Sequence, residues 1–212
     1  GRNLLEAPDV DLARVPVNGR TFEAFGEDPW LVSRIGVANI QAIQSHDIIA
    51  MVKHYTVNNQ EKDRNVIDVQ VSDRALRELY LPPFEAAVRE AQVASVMCAY
   101  NSVNGALSCE NEELLSTLLK EEWDFRGFVQ SDFFAMKSTV KAANAGMDLE
   151  MPAPTFYGAP LLAAVTAGEV PESRVDDMLA RRYSAMFRFG LFDNAPALSP
   201  IPVEEHATMA RE

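Results

Sequence analysis

Four hydrophobic runs of this sequence end on side chains able to do chemistry. Asp47-Ile48-Ile49-Ala50-Met51-Val52-Lys53-His54 ends on an amine and an imidazole. Ala94-Ser95-Val96-Met97-Cys98-Ala99-Tyr100-Asn101 ends on a phenol and an amide, and Gly127-Phe128-Val129-Gln130-Ser131-Asp132 on a carboxylate. A fourth, more polar run, Ala145-Gly146-Met147-Asp148-Leu149-Glu150-Met151-Pro152, carries two further acids. A carboxylate kept ionised by neighbouring cations is suited to nucleophilic or general-base work, and those cations also grip neutral hydroxyl groups by charge-assisted hydrogen bonds.

Each of these residues also has an ordinary reading. Asp132 precedes an apolar stretch and could be a helix N-cap. Lys53 could snorkel and His54 could be a satisfied core histidine, although an ammonium at the end of a buried strand needs a partner. Arg64 lies in the polar segment Asn58-Asn59-Gln60-Glu61-Lys62-Asp63-Arg64, which also reads as a solvated loop. Tyr100 could bond a carboxylate or merely pack. Arg20 sits in Gly19-Arg20-Thr21-Phe22-Glu23-Ala24-Phe25-Gly26-Glu27-Asp28-Pro29, where polar groups alternate with aromatics.

The elements that must position these groups alternate between strand and helix. The near-continuous apolar strands imply burial on both faces, as in parallel sheets. Helices are expected over Pro29–Ser45, with apolar positions Leu31, Ile35, Ile40 and Ile43, and from an N-cap at Ser72 or Asp73 onward. Pro82-Pro83 predicts a break, with a second helix over Phe84–Ala91. Further helices are expected over Asn111–Glu122, Phe133–Ala145, Tyr157–Ala167, and from Pro171 to a stop at Gly190. Alternation favours an α/β fold. An open doubly wound sheet binds ligands mainly at one switch point, whereas a barrel gathers reactive groups after many strands. Four reactive strand ends favour the barrel.

Length and composition set limits. The 212 residues fall short of the ~250 of a complete (β/α)₈ barrel, and the chain opens on Gly1-Arg2-Asn3-Leu4 without an initiator Met. The expectation is a partial (β/α)₈ TIM-type barrel lacking its N-terminal strands. It occupies residues 1–193, followed over 194–212 by a linker, with three prolines between Asn194 and Pro202, and the start of another domain. The formal charge of −12, from 31 acidic and 19 basic residues, repels phosphate backbones and argues against nucleic acid. No apolar run approaches the ~20 residues that cross a bilayer, and the compartment stays open. Cys98 and Cys109 are the two cysteines; Cys98, inside an apolar run, reads as a small core residue.

In chain order, Gly19-Arg20-x-Phe22-Glu23-x-Phe25-x-Glu27-Asp28-Pro29, Val52-Lys53-His54-Tyr55, Asn59-Gln60-Glu61, Leu76-Arg77-Glu78-x-Tyr80-Leu81-Pro82-x-Phe84-Glu85, Val96-Met97-x-Ala99-Tyr100-Asn101, Ser131-Asp132-Phe133 and Asp148-Leu149-Glu150-Met151-Pro152 resemble family 3 glycoside hydrolases of the β-glucosidase-like branch. Glu205–Glu212 is similar to the start of that family's second domain. The resemblance implies that Asp132 is a catalytic nucleophile. It also implies that Arg20, Lys53, His54, Arg64 and Tyr100 hydrogen-bond the sugar, and that Met97 lines its subsite. Phe133 stands where many relatives carry a Trp bordering the next subsite, which puts aglycone stacking in question.

The implied activity is exo-acting hydrolysis of a β-glycoside or oligosaccharide with net retention, through a glycosyl-aspartate. It needs no cofactor, and no His–carboxylate cluster at metal-ligand spacing is visible. The acid that protonates the leaving oxygen is implied to come from the following domain of the same chain; Glu61 and Glu150 are the in-chain candidates. The family's N-acetylglucosaminidase branch uses a histidine in a Pro-Gly-His motif after Lys-His, where this chain has Thr56-Val57-Asn58-Asn59. Relatives also carry earlier strands with a sugar-binding aspartate, so residues 1–212 alone are expected to be inactive. A carbohydrate-binding relative without catalysis, or a β-xylosidase or other sugar specificity, is the alternative.

Overall fold

A computed structural model describes residues 3–193 and 200–212. The main sheet is parallel and runs in chain order: β1 (Leu4–Leu5), β2 (Ile49–Tyr55), then β4 (Ser95–Cys98) and β7 (Phe128–Ser131). Leu149 continues the series by a parallel bridge to Gln130. The order never reverses, so the sheet has no switch point. It follows the succession of a barrel, as the strand ends suggested.

Helices connect the neighbours. Helix α1 (Pro29–Gln44) starts where Asp28 accepts the Leu31 N–H and Pro29 fills the first turn. Its buried face holds Val32, Val37 and Ile40, while Leu31, expected on that face, is half exposed. Ser72 caps α2 (Asp73–Ala75), which widens at once into a π-helical turn over Leu76–Tyr80. The break expected at Pro82-Pro83 falls just before them, at Leu81, and both prolines form the first turn of a separate helix α3 (Pro82–Arg89) rather than preceding it. The wide turn absorbs them: the Leu81 N–H bonds the Leu76 carbonyl five residues back, and first-turn prolines need no N–H.

Asn111–Glu122 is also helical but π-wound, over Glu113–Glu122. It buries Leu114, Leu115, Leu118 and Leu119. The helix expected over Phe133–Ala145 is confined to α4 (Val140–Ala145). After Asp132 the chain turns instead: Phe134 takes φ 63° and its N–H bonds the Met151 carbonyl. A bulky residue in that left-handed region cannot continue a helix. Helices α5 (Ala159–Thr166) and α6 (Glu172–Arg188) fall where expected. Of the expected linker, 194–199 lie outside the described residues, and α7 is described over Val203–Met209. No helix among the described residues is long and apolar enough to cross a membrane.

Three features lie beyond the sequence reading. First, the extended segment reaches past β1: Asn3, Ala7 and Pro8 carbonyls accept from Ile49, Met51 and Lys53, and Val10 N–H donates to Lys53. Only Leu4-Leu5 there looks like a strand, because Pro8 and two aspartates interrupt the apolar pattern. Second, β5 (Ser102–Val103) and β6 (Ala106–Leu107) form a hairpin over Asn104-Gly105, and β3 (Asp68–Val69) joins it in parallel. Third, Cys98 and Cys109 are joined as a disulfide rather than standing as separate core residues.

The sheet is buried on both faces. One core contains Val52, Tyr55, Val96 and Val129 with the helices. The other contains Ile49, Met51, Met97 and Phe128, closed by Ala185 and Phe189 at the end of α6. Gly127 lets β7 lie against β4, since a Cβ there would stand 2.2 Å from the Ala94 carbonyl oxygen.

Candidate active site

Asp132 leaves the C-terminal end of β7, its N–H held by the Cys98 carbonyl of β4. It caps no helix. One carboxylate oxygen, Oδ1, accepts the N–H of Phe133 at 2.7 Å, and the other, Oδ2, faces Nε2 of His54 at 3.7 Å. Its side chain is 13% exposed, so it is reachable from solvent yet mostly enclosed.

His54 comes from the end of β2 and is buried. On the side away from Asp132, its Nδ1 lies 2.9 Å from Asp11 Oδ2 and 3.8 Å from Asp9 Oδ2. Asp11 Oδ2 also accepts the His54 backbone N–H at 3.2 Å, and Asp9 Oδ1 accepts the Asp11 N–H at 2.8 Å. Burial pushes the His54 imidazole down to about 4 despite the charge of Asp9. Burial likewise raises Asp9, aided by the charge of Asp11, to about 7 and Asp11 to about 8. Potential ligand atoms of Asp9, Asp11 and His54 lie within 4.8 Å of one another. Their hydrogen bonds to each other and to the backbone account for that closeness.

Lys53 and Arg20 share one carboxylate. Glu23 Oε1 accepts from Arg20 Nε at 2.6 Å and Oε2 from Lys53 Nζ at 3.1 Å. Burial alone would raise the Glu23 carboxyl, but the hydrogen bonds from Arg20 and Lys53 outweigh it and hold it at about 2. Arg64 pairs with Glu61 at 2.6 Å and stacks its guanidinium 4.2 Å from the Tyr100 ring centre. Burial, then the nearby negative charge of Asp132, push the Tyr100 hydroxyl up to about 12, so it stays protonated as a donor.

The small sheet explains why Arg64 meets Tyr100. The segment after Arg64 is stitched to the hairpin by Ser102 N–H to Ile67 and Asn104 N–H to Val69. The disulfide ties the root of that hairpin back to β4.

Of the residues expected from the sequence, His54 faces Asp132 at 3.7 Å, Tyr100 lies close enough for its hydroxyl to feel the Asp132 charge, Arg64 stacks on Tyr100, and Lys53 and Arg20 are joined to each other through Glu23. Met97 pairs with Gln130 across β4 and β7, two rungs below Asp132. It belongs to the buried floor rather than to the polar ring. Phe133 is 42% exposed beside Asp132. The two in-chain candidates for the acid are committed elsewhere. Glu150 accepts backbone N–H groups from Thr155, Phe156 and Tyr157, and Glu61 holds Arg64 and Asn58. Asp9, Asp11 and Glu23 were not anticipated. Two acids in the apolar context Pro8-Asp9-Val10-Asp11-Leu12 were a usable signal, since buried carboxylates need partners.

A carboxylate at the mouth of a chain-ordered parallel sheet, ringed by hydrogen-bond donors, defines an α/β-barrel domain with a carboxylate-centred polar site. The family model described as the glycosyl hydrolase family 3 N terminal domain matches residues 1–184, and the chain belongs to that family. A beta-glucosidase of Rhizobium radiobacter is 43% identical over 208 residues, covering 98% of this chain and 25% of its own. Beta-glucosidase B of Emericella nidulans is 39% identical over 215 residues, covering 100% and 25%. The chain thus spans about a quarter of the length of these curated relatives. Among solved structures, DesR, a beta-glucosidase from Streptomyces venezuelae in complex with D-glucose, superposes with TM-score 0.90 at 37% identity over 98% of this chain and 28% of its own. Beta-glucosidase 3B from Thermotoga neapolitana in complex with alpha-D-glucose gives 0.91 at 36% identity, covering 98% and 30%.

Proposed function

We propose that the protein carrying this chain is a retaining, exo-acting β-glycosidase, β-glucosidase-like, with Asp132 as its nucleophile. The observation that carries this reading is the state of Asp132. Its carboxylate is fixed by the Phe133 N–H on one oxygen, faced by Tyr100 and His54, and still open to solvent. Such a group can bond a carbon approaching from the solvent side. The beta-glucosidases among its relatives, and the glucose held by two of the solved ones, support a terminal β-linked sugar as substrate.

In the first step an Asp132 oxygen bonds the anomeric carbon while the glycosidic C–O bond breaks, and an acid gives its proton to the leaving oxygen. In the second, water attacks the anomeric carbon, the ester bond to Asp132 breaks, and the same group, now a base, takes the water's proton. Tyr100, Arg64, Lys53 and Arg20 supply donors to the ring hydroxyls. Glu61 and Glu150 are tied to other partners, so the acid is assigned to a group outside residues 1–212, in a further domain of the same chain. Incubating the full-length protein with a 2-deoxy-2-fluoro β-glucoside is expected to add one fluoroglycosyl mass to the peptide containing Asp132. Sugar binding with no label on that peptide would support a non-catalytic binder instead.

A further inference from the structure

The polar ring accounts for the groups around Asp132 but leaves unexplained why two carboxylates are buried behind His54. Asp11 is 6% exposed and His54 1%. A single oxygen of Asp11 meets both the backbone N–H and the Nδ1 of His54, at 3.2 and 2.9 Å. Asp9 in turn fixes the Asp11 backbone by accepting its N–H. A neutral imidazole carries its proton on one nitrogen, and the hydrogen bond made by that nitrogen decides which one. An oxygen that already accepts the backbone N–H offers a lone pair to Nδ1, so the proton sits there. Nε2 is then a bare acceptor on the side of Asp132.

We propose that Asp11 is a positioning residue that holds His54 as the Nδ1-protonated tautomer, so that Nε2 accepts a hydrogen bond from a substrate hydroxyl instead of donating one to Asp132. The inference rests on the proposed glycosidase function. It explains the 3.7 Å gap between Nε2 and Asp132 Oδ2, because a bare nitrogen and a carboxylate oxygen have no proton to share. It also explains why the low basicity of His54, which burial imposes, suits the site. A protonated ring would place a donor on the nucleophile and weaken its attack.

The test is a cycle in the full-length protein: wild type, Asp11→Ala, His54→Ala and the double variant. Each is assayed for kcat/KM on an aryl β-glucoside and for thermal midpoint. Asp11→Ala is expected to lower kcat/KM by about 10–100-fold, the range seen when an orienting partner of a ligating histidine is removed. The double variant is expected to be no slower than His54→Ala alone. Multiplying losses, or a folded Asp11→Ala variant within about twofold of wild type, would overturn the proposal. Spectra of ¹⁵N-histidine-labelled protein, with His54 assigned by its absence in His54→Ala, supply an independent readout. Wild type should show the Nδ1-protonated pattern, and Asp11→Ala should lose it. An Nε2-protonated His54 in wild type would overturn the proposal even if kinetics suffer. Lack of turnover in wild type would instead defeat the functional reading, and the spectra would still decide the tautomer.

Discussion

His54 Nε2 stands 3.7 Å from Asp132 Oδ2, beyond hydrogen-bond reach, so that oxygen is not consumed by its nearest ring. A carboxylate with one oxygen fixed and the other left open is arranged to form a new bond rather than to brace the fold. Asp132→Asn in the full-length protein is therefore expected to lower kcat by at least about 10⁴-fold while the thermal midpoint stays within a few degrees. An Asn variant retaining more than about a hundredth of wild-type kcat would end the nucleophile assignment.

Tyr100 offers a second check. Its hydroxyl stays protonated beside Asp132, and its ring supports Arg64. Tyr100→Phe removes the hydroxyl and keeps the ring. A hydrogen bond to a charged group is worth about 1.5–3 kcal/mol, so kcat/KM should fall about 10–100-fold. Tyr100→Ala also removes the platform under Arg64 and should cost more, chiefly in KM. Equal losses for both variants would mean that the stack contributes nothing.

The buried trio behind the site sets a pH dependence of stability. Asp9 and Asp11 are raised from 3.8 to about 7 and about 8, so the folded state holds protons that the unfolded state releases. Their stabilising contribution is full below 3.8 and lost as pH rises through about 7 and about 8. His54, lowered from 6.5 to about 4, acts in the opposite sense, and its contribution is lost as pH falls from 6.5 through about 4. Above 6.5 only the carboxyl effect changes. Thermal midpoints should fall between pH ~6.5 and ~9, and Asp11→Asn should flatten part of that slope. A midpoint that rises over this interval would contradict the assignment.

Asp148 is expected to matter for folding rather than turnover. It lies beside β7, accepts the Val129 N–H at 2.8 Å, and pairs with Lys120 and Arg174 at 2.8 and 2.5 Å. Lys120 and Arg174 are themselves only 7% and 12% exposed. Asp148→Ala leaves two nearly buried cations without their anion, a loss of about 3–5 kcal/mol, measurable as a lower denaturant midpoint. A shift under about 1 kcal/mol would show that Asp177 takes over the pairing.

Residues 1–212 expressed alone are expected to show no turnover of an aryl β-glucoside, because their two candidate acids are engaged by Arg64 and by the Thr155–Tyr157 backbone. Measurable hydrolysis by this piece would mean that an acid within it has been overlooked.

Much of this was legible in the chain. The apolar runs before Lys53, Tyr100 and Asp132 reported doubly buried parallel strands, and the groups just past their ends reported where polar side chains gather. What was not legible depended on contacts between distant segments. Asp9 and Asp11 acquire meaning only through His54, more than forty residues on. The turn after Asp132 is set by Met151, and apolar periodicity there suggested a helix that the Phe134 backbone refuses. The π-wound turn before Pro82 is likewise invisible to apolar periodicity, although the two prolines did signal the interruption that falls at Leu81.

Below the strand ends, Met51, Met97 and Phe128 pack with Phe189 into a dry sulfur-and-aromatic cluster. For the proposed exo-acting glycosidase, such an apolar base suits a site that takes only the tip of a polymer, so that shortening proceeds one unit at a time.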